Sequence, residues 1–308
     1  MSSGHGFGKT ILFGEHFVVY GLPAIASAIG AKTVAKIEPS KSFEFVDNRP
    51  QTPGYKEKKK DEIGRQLDAL KKHFNTENVK ITLSGDLECA SGVGASAALA
   101  TSISRALSEH LRLGLNDEQI NEAAYIAEKA GAGEASGIDN TCSVYGGFIV
   151  FQKNLSGGPN RIERICVDAP IEIVMASSGI TQTTKEVVED VKRMRGENQK
   201  QYERIFHDYE SIVNSGAKAI KAGDMKKLGD LMDKNQALLA EMTLSCPKIE
   251  QIIKAARGAG AFGAKLTGTG RGGTVLALTP GKALQEKVAK AIEKEGYKTF
   301  KTKIGAKV

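Results

Sequence analysis

Glu88–Leu111 reads ECASGVGASAALATSISRALSEHL, and its interpretation decides the fold. Small residues surround Gly92 and Gly94, and the chain then passes directly into a helix. The apolar positions Leu99, Ile103, Ala106 or Leu107, and Leu111 recur every three or four residues, as one buried helical face requires. A glycine-rich turn feeding a helix lets the backbone approach an anion closely. It points free N–H groups at that anion, and the helix dipole adds to the attraction. The turn Gly92-Val93-Gly94-Ala95-Ser96-Ala97 is therefore a candidate nucleotide-phosphate cradle, although a tight turn packed beneath a helix explains the same letters. Two other stretches, one at the N-terminus and one around Thr267, tip the balance toward phosphate.

The 308-residue chain is long enough for two domains, each with its own core. Hydrophobic residues make up 41% of it, yet none of its apolar runs could span a bilayer, so a soluble globular protein is expected. The start MSSGHGFGKTILFGEH lacks a charged segment before an apolar block, which argues against a signal peptide. Cys89, Cys142, Cys166 and Cys246 are isolated, without CxxC spacing, and fit free thiols in a reducing, cytoplasmic setting. With five scattered histidines and no HExxH, no metal cluster is readable from the sequence. Asn154-Leu155-Ser156 matches a glycosylation sequon, a chance match without a secretory signal. The net charge of +7 suits anionic small molecules. The lysines along Tyr55–Phe74 alternate with acids as on a solvated face, and aromatics are only 6%, so nucleic acid is not an expected partner.

Along the chain, Thr10–Phe13 and Phe17–Tyr20 read as strand around Gly14-Glu15-His16, followed by strands at Ala24–Ile29, Thr33–Glu38 and Ser42–Val46. Lys56–Phe74 reads as a charged helix and Val79–Leu83 as a strand. Asn116, with Gln119 three residues on, starts a helix to about Lys129 whose face of Ile120, Ala123, Ala124 and Ala127 is small. A small-residue loop, Gly131–Gly137, leads into Ile138-Asp139-Asn140, and Phe148–Gln152 is strand. The domain boundary falls near Asp168, giving 1–168 and 169–308. The second half begins with a strand at Ile171–Ala176. Helices follow at Thr184–Arg195, Asn198–Ala222, Asp224–Met242 and Pro247–Ala259. Strands Gly263–Thr267 and Thr274–Leu278, a helix to Glu295 and a strand Tyr297–Lys303 complete it. Without the long helices this is β-α-β-β-α-β, a ferredoxin-like arrangement.

Two glycine motifs are misleading. Ser3–Thr10 is one residue short of a Walker A loop, but only two residues precede it and Ile-Leu-Phe follows, where a strand and a helix are needed. Gly268-Thr269-Gly270-Arg271-Gly272-Gly273 matches GxGxxG but leads into a strand, so a dinucleotide site is rejected too.

What remains is the turn at Gly92–Ala98, the segment Gly8-Lys9-Thr-Ile-Leu-Phe-Gly14-Glu15-His16-Phe-Val-Val-Tyr20-Gly21, the segment Lys265–Gly273, and Ser136-Gly137-Ile138-Asp139. Together these resemble the small-molecule kinases of the GHMP superfamily, which act on galactose, homoserine, mevalonate or phosphomevalonate. GK-x-ILFGEH-x-VVYG, Ala135–Asn140 with Tyr145-Gly146-Gly147, and Asn235–Leu239 followed by Gly263–Gly268 look most like the mevalonate kinases. The likeness spans nearly the whole chain. There are two departures from the family: in the glycine motif Ala95 replaces one serine of the usual GLGSSAA and Glu88 stands where proline is common, and further on Ala135 stands where proline is common. Ser96 survives.

The resemblance implies an α/β (α+β) protein of two domains, an N-terminal one of the ribosomal-protein-S5-domain-2-like type and a C-terminal ferredoxin-like one. It implies ATP and Mg²⁺ as cofactors and mevalonate as substrate, with phosphate transfer to the C5 hydroxyl. Such transfer demands charge neutralisation and alignment more than covalent chemistry. By the same resemblance Glu128 and Ser96 hold the metal, Asp139 takes the alcohol's proton and Lys9 sits beside it. At ~4 Å and an effective dielectric near 20, such a pair interacts by about 4 kcal/mol. Glu15, His16, Thr184 and Gly268 fall at substrate positions, and Arg271 is a candidate phosphate partner. Glu134 competes with Glu128 for the metal. The family often forms homodimers and is often inhibited by prenyl diphosphates. A sibling kinase acting on another alcohol, and a non-catalytic ligand sensor on the same fold, remain open alternatives.

Overall fold

The computed structural model describes residues 2–90, 92–133, 135–180 and 182–305; the side chain of Thr184, and Glu134 altogether, lie outside that description. The chain opens with the long strand β1 (Ser2–Phe13), a 3₁₀ turn (Phe17–Tyr20) and the long strand β2 (Ala24–Pro39). Next come β3 (Glu44–Asp47), α1 (Tyr55–Lys58), α2 (Lys60–Phe74) and β4 (Val79–Gly85). The glycine turn leads into α3 (Ala95–His110), followed by α4 (Asp117–Ala132) and α5 (Ile138–Tyr145). After β5 (Phe148–Gln152), β6 (Arg161–Ile165) and β7 (Ile171–Ser177), four helices run in succession. They are α6 (Thr184–Glu197), α7 (Gln199–Ala222), α8 (Met225–Glu241) and α9 (Pro247–Gly258). The chain closes with β8 (Gly263–Thr267), β9 (Thr274–Leu278), α10 (Lys282–Lys294) and β10 (Thr299–Ile304).

These elements form two compact units. One takes the chain up to Lys9 and Ala28–Gly146; the other takes Thr10–Ser27 and the chain from Gly147 on. In the first, β4 pairs antiparallel with β2 (Thr33↔Gly85 to Pro39↔Val79) and parallel with β3. Alternate residues Ala35, Ile37, Val79, Ile81 and Leu83 turn to one face, as the two-residue period of a strand requires. That face packs on Leu67, Leu70 and Phe74 of α2 and Leu99, Ile103 and Leu107 of α3. Ala123, Ala124 and Ala127 of α4 complete the core, their small side chains allowing close helix approach. The expected capping box of α4 forms, with Asn116 and Gln119 bonding each other's backbone N–H.

In the second unit the strand order β10-β7-β9-β8, antiparallel throughout, is that of a ferredoxin-like sheet, as expected. Gln285 of α10 donates to the carbonyls of Ile173 and Thr302, pinning the helix to β7 and β10. The start of β2, Ala24–Ser27, pairs with β5, which pairs with β6.

Some local expectations change. Phe17–Tyr20 is a 3₁₀ turn rather than strand: Gly21, left-handed at φ 77°, closes it, and Phe17 stacks on Tyr209 with ring centroids 3.7 Å apart. Ala24–Ile29 and Thr33–Glu38 are one strand, running through Gly30 without a break. The charged helix breaks at Lys59 into α1 and α2. Ile138–Asn140 begins a helix, and β6 is an additional, largely exposed strand, with too few buried apolar residues to stand out as one.

Candidate active site

The glycine turn is held by its neighbours in the first unit. Lys9 N–H donates to the Val93 carbonyl at 2.8 Å, so the end of β1 lies along the turn. Gly94 is left-handed (φ 71°), and a Cβ there would come within 2.7 Å of Lys9 Cγ and 3.2 Å of Lys9 N. Only glycine satisfies both the backbone angle and the contact. Gly92 (φ 87°) has nothing within 4 Å of where its Cβ would be, leaving room for an incoming group. The N–H groups of Ala95, Ser96 and Ala97 precede the first intrahelical bond, from Ala98 N–H to Gly94 O. These are the amides that the sequence reading offers to an anion.

Lys9 Nζ lies 3.2 Å from Asp139 Oδ1, with the lysine buried and the aspartate about a third exposed. Asp139 stands in the first turn of α5, whose start is set by Gly137 in the left-handed region. Ser96, one residue into α3, donates its hydroxyl hydrogen to Glu128 Oε1 of α4 at 2.6 Å. Burial pushes the Glu128 carboxyl up to about 7, and the charges of Asp139 and Glu62 push the same way against the hydrogen bonds from Ser96 and Gln66. A carboxylate held so is destabilised until a cation arrives. The hard-oxygen set of Ser96 and Glu128 thus fits Mg²⁺, which typically takes one or two carboxylates and completes its shell with phosphate and water. Among the described residues no group of three His, Cys, Asp or Glu assembles as a metal cage.

The remaining sequence candidates lie in the second unit. Glu15 is fully buried, paired with Lys265 Nζ at 2.5 Å, and also accepts from Gly14 N–H. Burial pushes Glu15 up and Lys265 down, against their mutual attraction. His16 Nε2 lies 2.7 Å from the Thr269 carbonyl, so it carries the hydrogen there and Nδ1 is left as an acceptor. Burial keeps this imidazole below its usual value, and hence neutral at pH 7. Thr267 Oγ1 donates to the Ile11 carbonyl, tying β8 to β1 beside Gly268, which is left-handed and open. Arg271 is paired with Asp190 at 2.6 Å and bonded to Thr243.

Sequence reasoning missed three groups. Arg49 grips Asp47 through Nε and Nη2 and donates to the Ala95 carbonyl at 2.9 Å, bracing the start of α3. Lys265, inside the strand read at Gly263–Thr267, is a buried cation. Gln66, inside a helix read as a solvated face, bonds both Ser96 and Glu128. None carries a local signal, because each acts through a partner distant in sequence.

Two family models match the chain: GHMP kinases N terminal domain over residues 62–147 and GHMP kinases C terminal over residues 217–298. With the two-unit fold and the glycine turn lying along Lys9, they define the class, that of the GHMP kinases. A mevalonate kinase from Pyrococcus abyssi is 34% identical, the alignment covering 96% of this chain and 93% of that one. The chain belongs to the mevalonate kinase family. The crystal structure of L. major mevalonate kinase in complex with R-mevalonate aligns at a TM-score of 0.93 and 34% identity, covering 99% of this chain and 96% of that one. A Streptococcus pneumoniae phosphomevalonate kinase, at 16% identity and a TM-score of 0.76 over 99% of this chain and 100% of that one, shares the fold alone.

Proposed function

We propose that this chain transfers the γ-phosphoryl group of ATP to the C5 hydroxyl of mevalonate, giving 5-phosphomevalonate and ADP. The observation that carries the reading is the 3.2 Å Lys9–Asp139 contact beside the glycine turn that leads into α3. Asp139 takes the hydroxyl proton as the C5 oxygen attacks the γ-phosphorus. The new O–P bond forms while the bond to the β–γ bridging oxygen breaks, and that oxygen leaves with ADP. Lys9 balances the charge that moves onto the transferring group. Gly92–Ala97 supply backbone amides to the triphosphate. Ser96 and Glu128 hold Mg²⁺, which screens the phosphate charge when bound.

For mevalonate, His16 offers Nδ1 as an acceptor to a hydroxyl and Gly268 gives the open backbone beside it. Thr184, which opens α6, is a further substrate contact. Buried Glu15 serves by holding Lys265 and the turn before His16. Along the chain, 1–168 is the N-terminal, nucleotide-binding half and 169–308 the C-terminal half, with Thr10–Ser27 and 147–168 packed into the second compact unit. The family likeness carries a homodimer with it. The four free cysteines fit a cytoplasmic setting. An already phosphorylated substrate would call for extra cationic charge, and Arg271 is committed to Asp190.

ADP release with mevalonate and with phosphomevalonate, measured side by side, tests the reading. Turnover with mevalonate and none with phosphomevalonate is expected. The reverse outcome identifies a sibling kinase, and ATP consumption indifferent to any added alcohol points to a ligand sensor.

A further inference from the structure

Gln66 lies in α2, on the first unit's core side, with its side chain fully buried. Its Nε2 donates to Glu128 Oε1 at 2.5 Å and to Ser96 Oγ at 2.6 Å. A primary amide has two N–H donors, and both are used on these two oxygens. With Glu128 ionised, as cation binding requires, the orientation follows from charge, since the reverse placement would set the amide oxygen against the carboxylate. Oε1 is then left buried with no hydrogen-bond partner among the described residues. An orphaned acceptor weakens a fold, so packing alone does not account for a glutamine at this position.

The consequences for Ser96 and Glu128 can be counted atom by atom. A serine hydroxyl has one donor and two lone pairs. Its hydrogen goes to Glu128 and one lone pair to Gln66, so a single lone pair remains. Glu128 Oε1 receives both Ser96 and Gln66, while Oε2 accepts no hydrogen bond among the described residues. One oxygen lone pair on α3 and one carboxylate oxygen on α4 are thereby kept available, in an orientation set from α2. The fold makes room for this arrangement at Gly131, where a Cβ would meet Gln66 Cγ at 2.8 Å and Glu62 Cγ at 3.1 Å.

We infer that Gln66 is the positioning residue of the cation site: its amide fixes which oxygens of Ser96 and Glu128 face a divalent cation. The inference rests on the reading of those two residues as metal-holding. A group in this role orients the ligands without touching the metal, and its loss costs about 10- to 100-fold in metal affinity.

Mn²⁺ binding in the presence of ADP, followed by electron paramagnetic resonance without turnover, provides the test. Gln66→Met removes both donors at matched length. Gly131→Ala keeps the amide but displaces it, and carries the test alone should the first variant fail to fold. Both are expected to weaken Mn²⁺ affinity at least 10-fold while metal-free ADP affinity and the thermal midpoint stay near those of the parent. Parent-like Mn²⁺ affinity in a folded variant overturns the inference, as does an equal loss of metal-free ADP binding. A parent protein that binds no Mn²⁺ removes both the metal reading and this one. A parent that binds Mn²⁺ yet leaves mevalonate untouched refutes only the substrate assignment.

Discussion

Asp139 and Glu128 are both acids near a helix end, and their surroundings give them different work. Asp139 is partly exposed and paired with Lys9, poised to accept a proton; Glu128 is buried against Ser96 and Gln66. Asp139→Asn keeps the shape but cannot take the proton. Turnover should fall at least about 100-fold, within the usual reach of a positioned base, with ATP affinity by calorimetry unchanged. Glu128 carries a pH signature in the metal-free protein. Between its ordinary value of 4.5 and about 7, the folded chain holds a proton that the unfolded chain has released. Stability contributed by this group is therefore complete below 4.5 and declines as pH rises through 7, by about 3 kcal/mol in all. Denaturant titrations of Glu128→Gln should lack that decline, and an identical slope in both proteins would refute it. Lys9, Ser96, Glu128 and Asp139 were singled out in the sequence only through the likeness of their segments to a known family. Gln66 and Arg49 were not, because a glutamine or arginine acquires its role only from the atoms it meets.

At the level of the element, the turn into α3 is where sequence and geometry agree most closely. Its two glycines are nevertheless unequal. Gly94→Ala drives a Cβ toward Lys9, whereas Gly92→Ala meets nothing. Both incur a left-handed backbone cost of roughly 1–2 kcal/mol. Only Gly94→Ala should also displace Lys9 and lower kcat more than 10-fold; equal kcat values for the two variants would show that the Lys9 contact is immaterial. Periodicity identified the amphipathic helices α4 and α7–α10, since a buried stripe every three to four residues is a local property, whereas α3 is buried on nearly every side. It failed for Phe17–Tyr20, whose β-branched and aromatic residues favour strand but whose conformation is set by Gly21 and the Tyr209 ring.

For the whole molecule, the compact units interleave along the chain. The second unit's core takes in Phe13, set against Gly216, and Phe17, stacked on Tyr209, whose hydroxyl donates to the Pro23 carbonyl at 2.6 Å. A fragment of residues 169–308 lacks all three of these N-terminal partners. Losing one large aromatic from a core costs about 3–5 kcal/mol, so losing two removes most or all of a typical domain's 5–15 kcal/mol. That fragment should be aggregated or molten by amide NMR dispersion. A sharp cooperative melt of the isolated fragment would contradict the shared core.

Periodicity, composition and turn residues, which are local or directly countable, placed the glycine turn, the long helices and the β-α-β-β-α-β element order, and likeness to a known family supplied the class of chemistry. Only the tertiary structure decided that Glu15 is sealed against Lys265, that Arg271 belongs to Asp190, and that Gln66 sits between Ser96 and Glu128. The physical reason is that burial and hydrogen-bond pairing depend on which distant segments meet, and an isolated side chain carries no record of its partner.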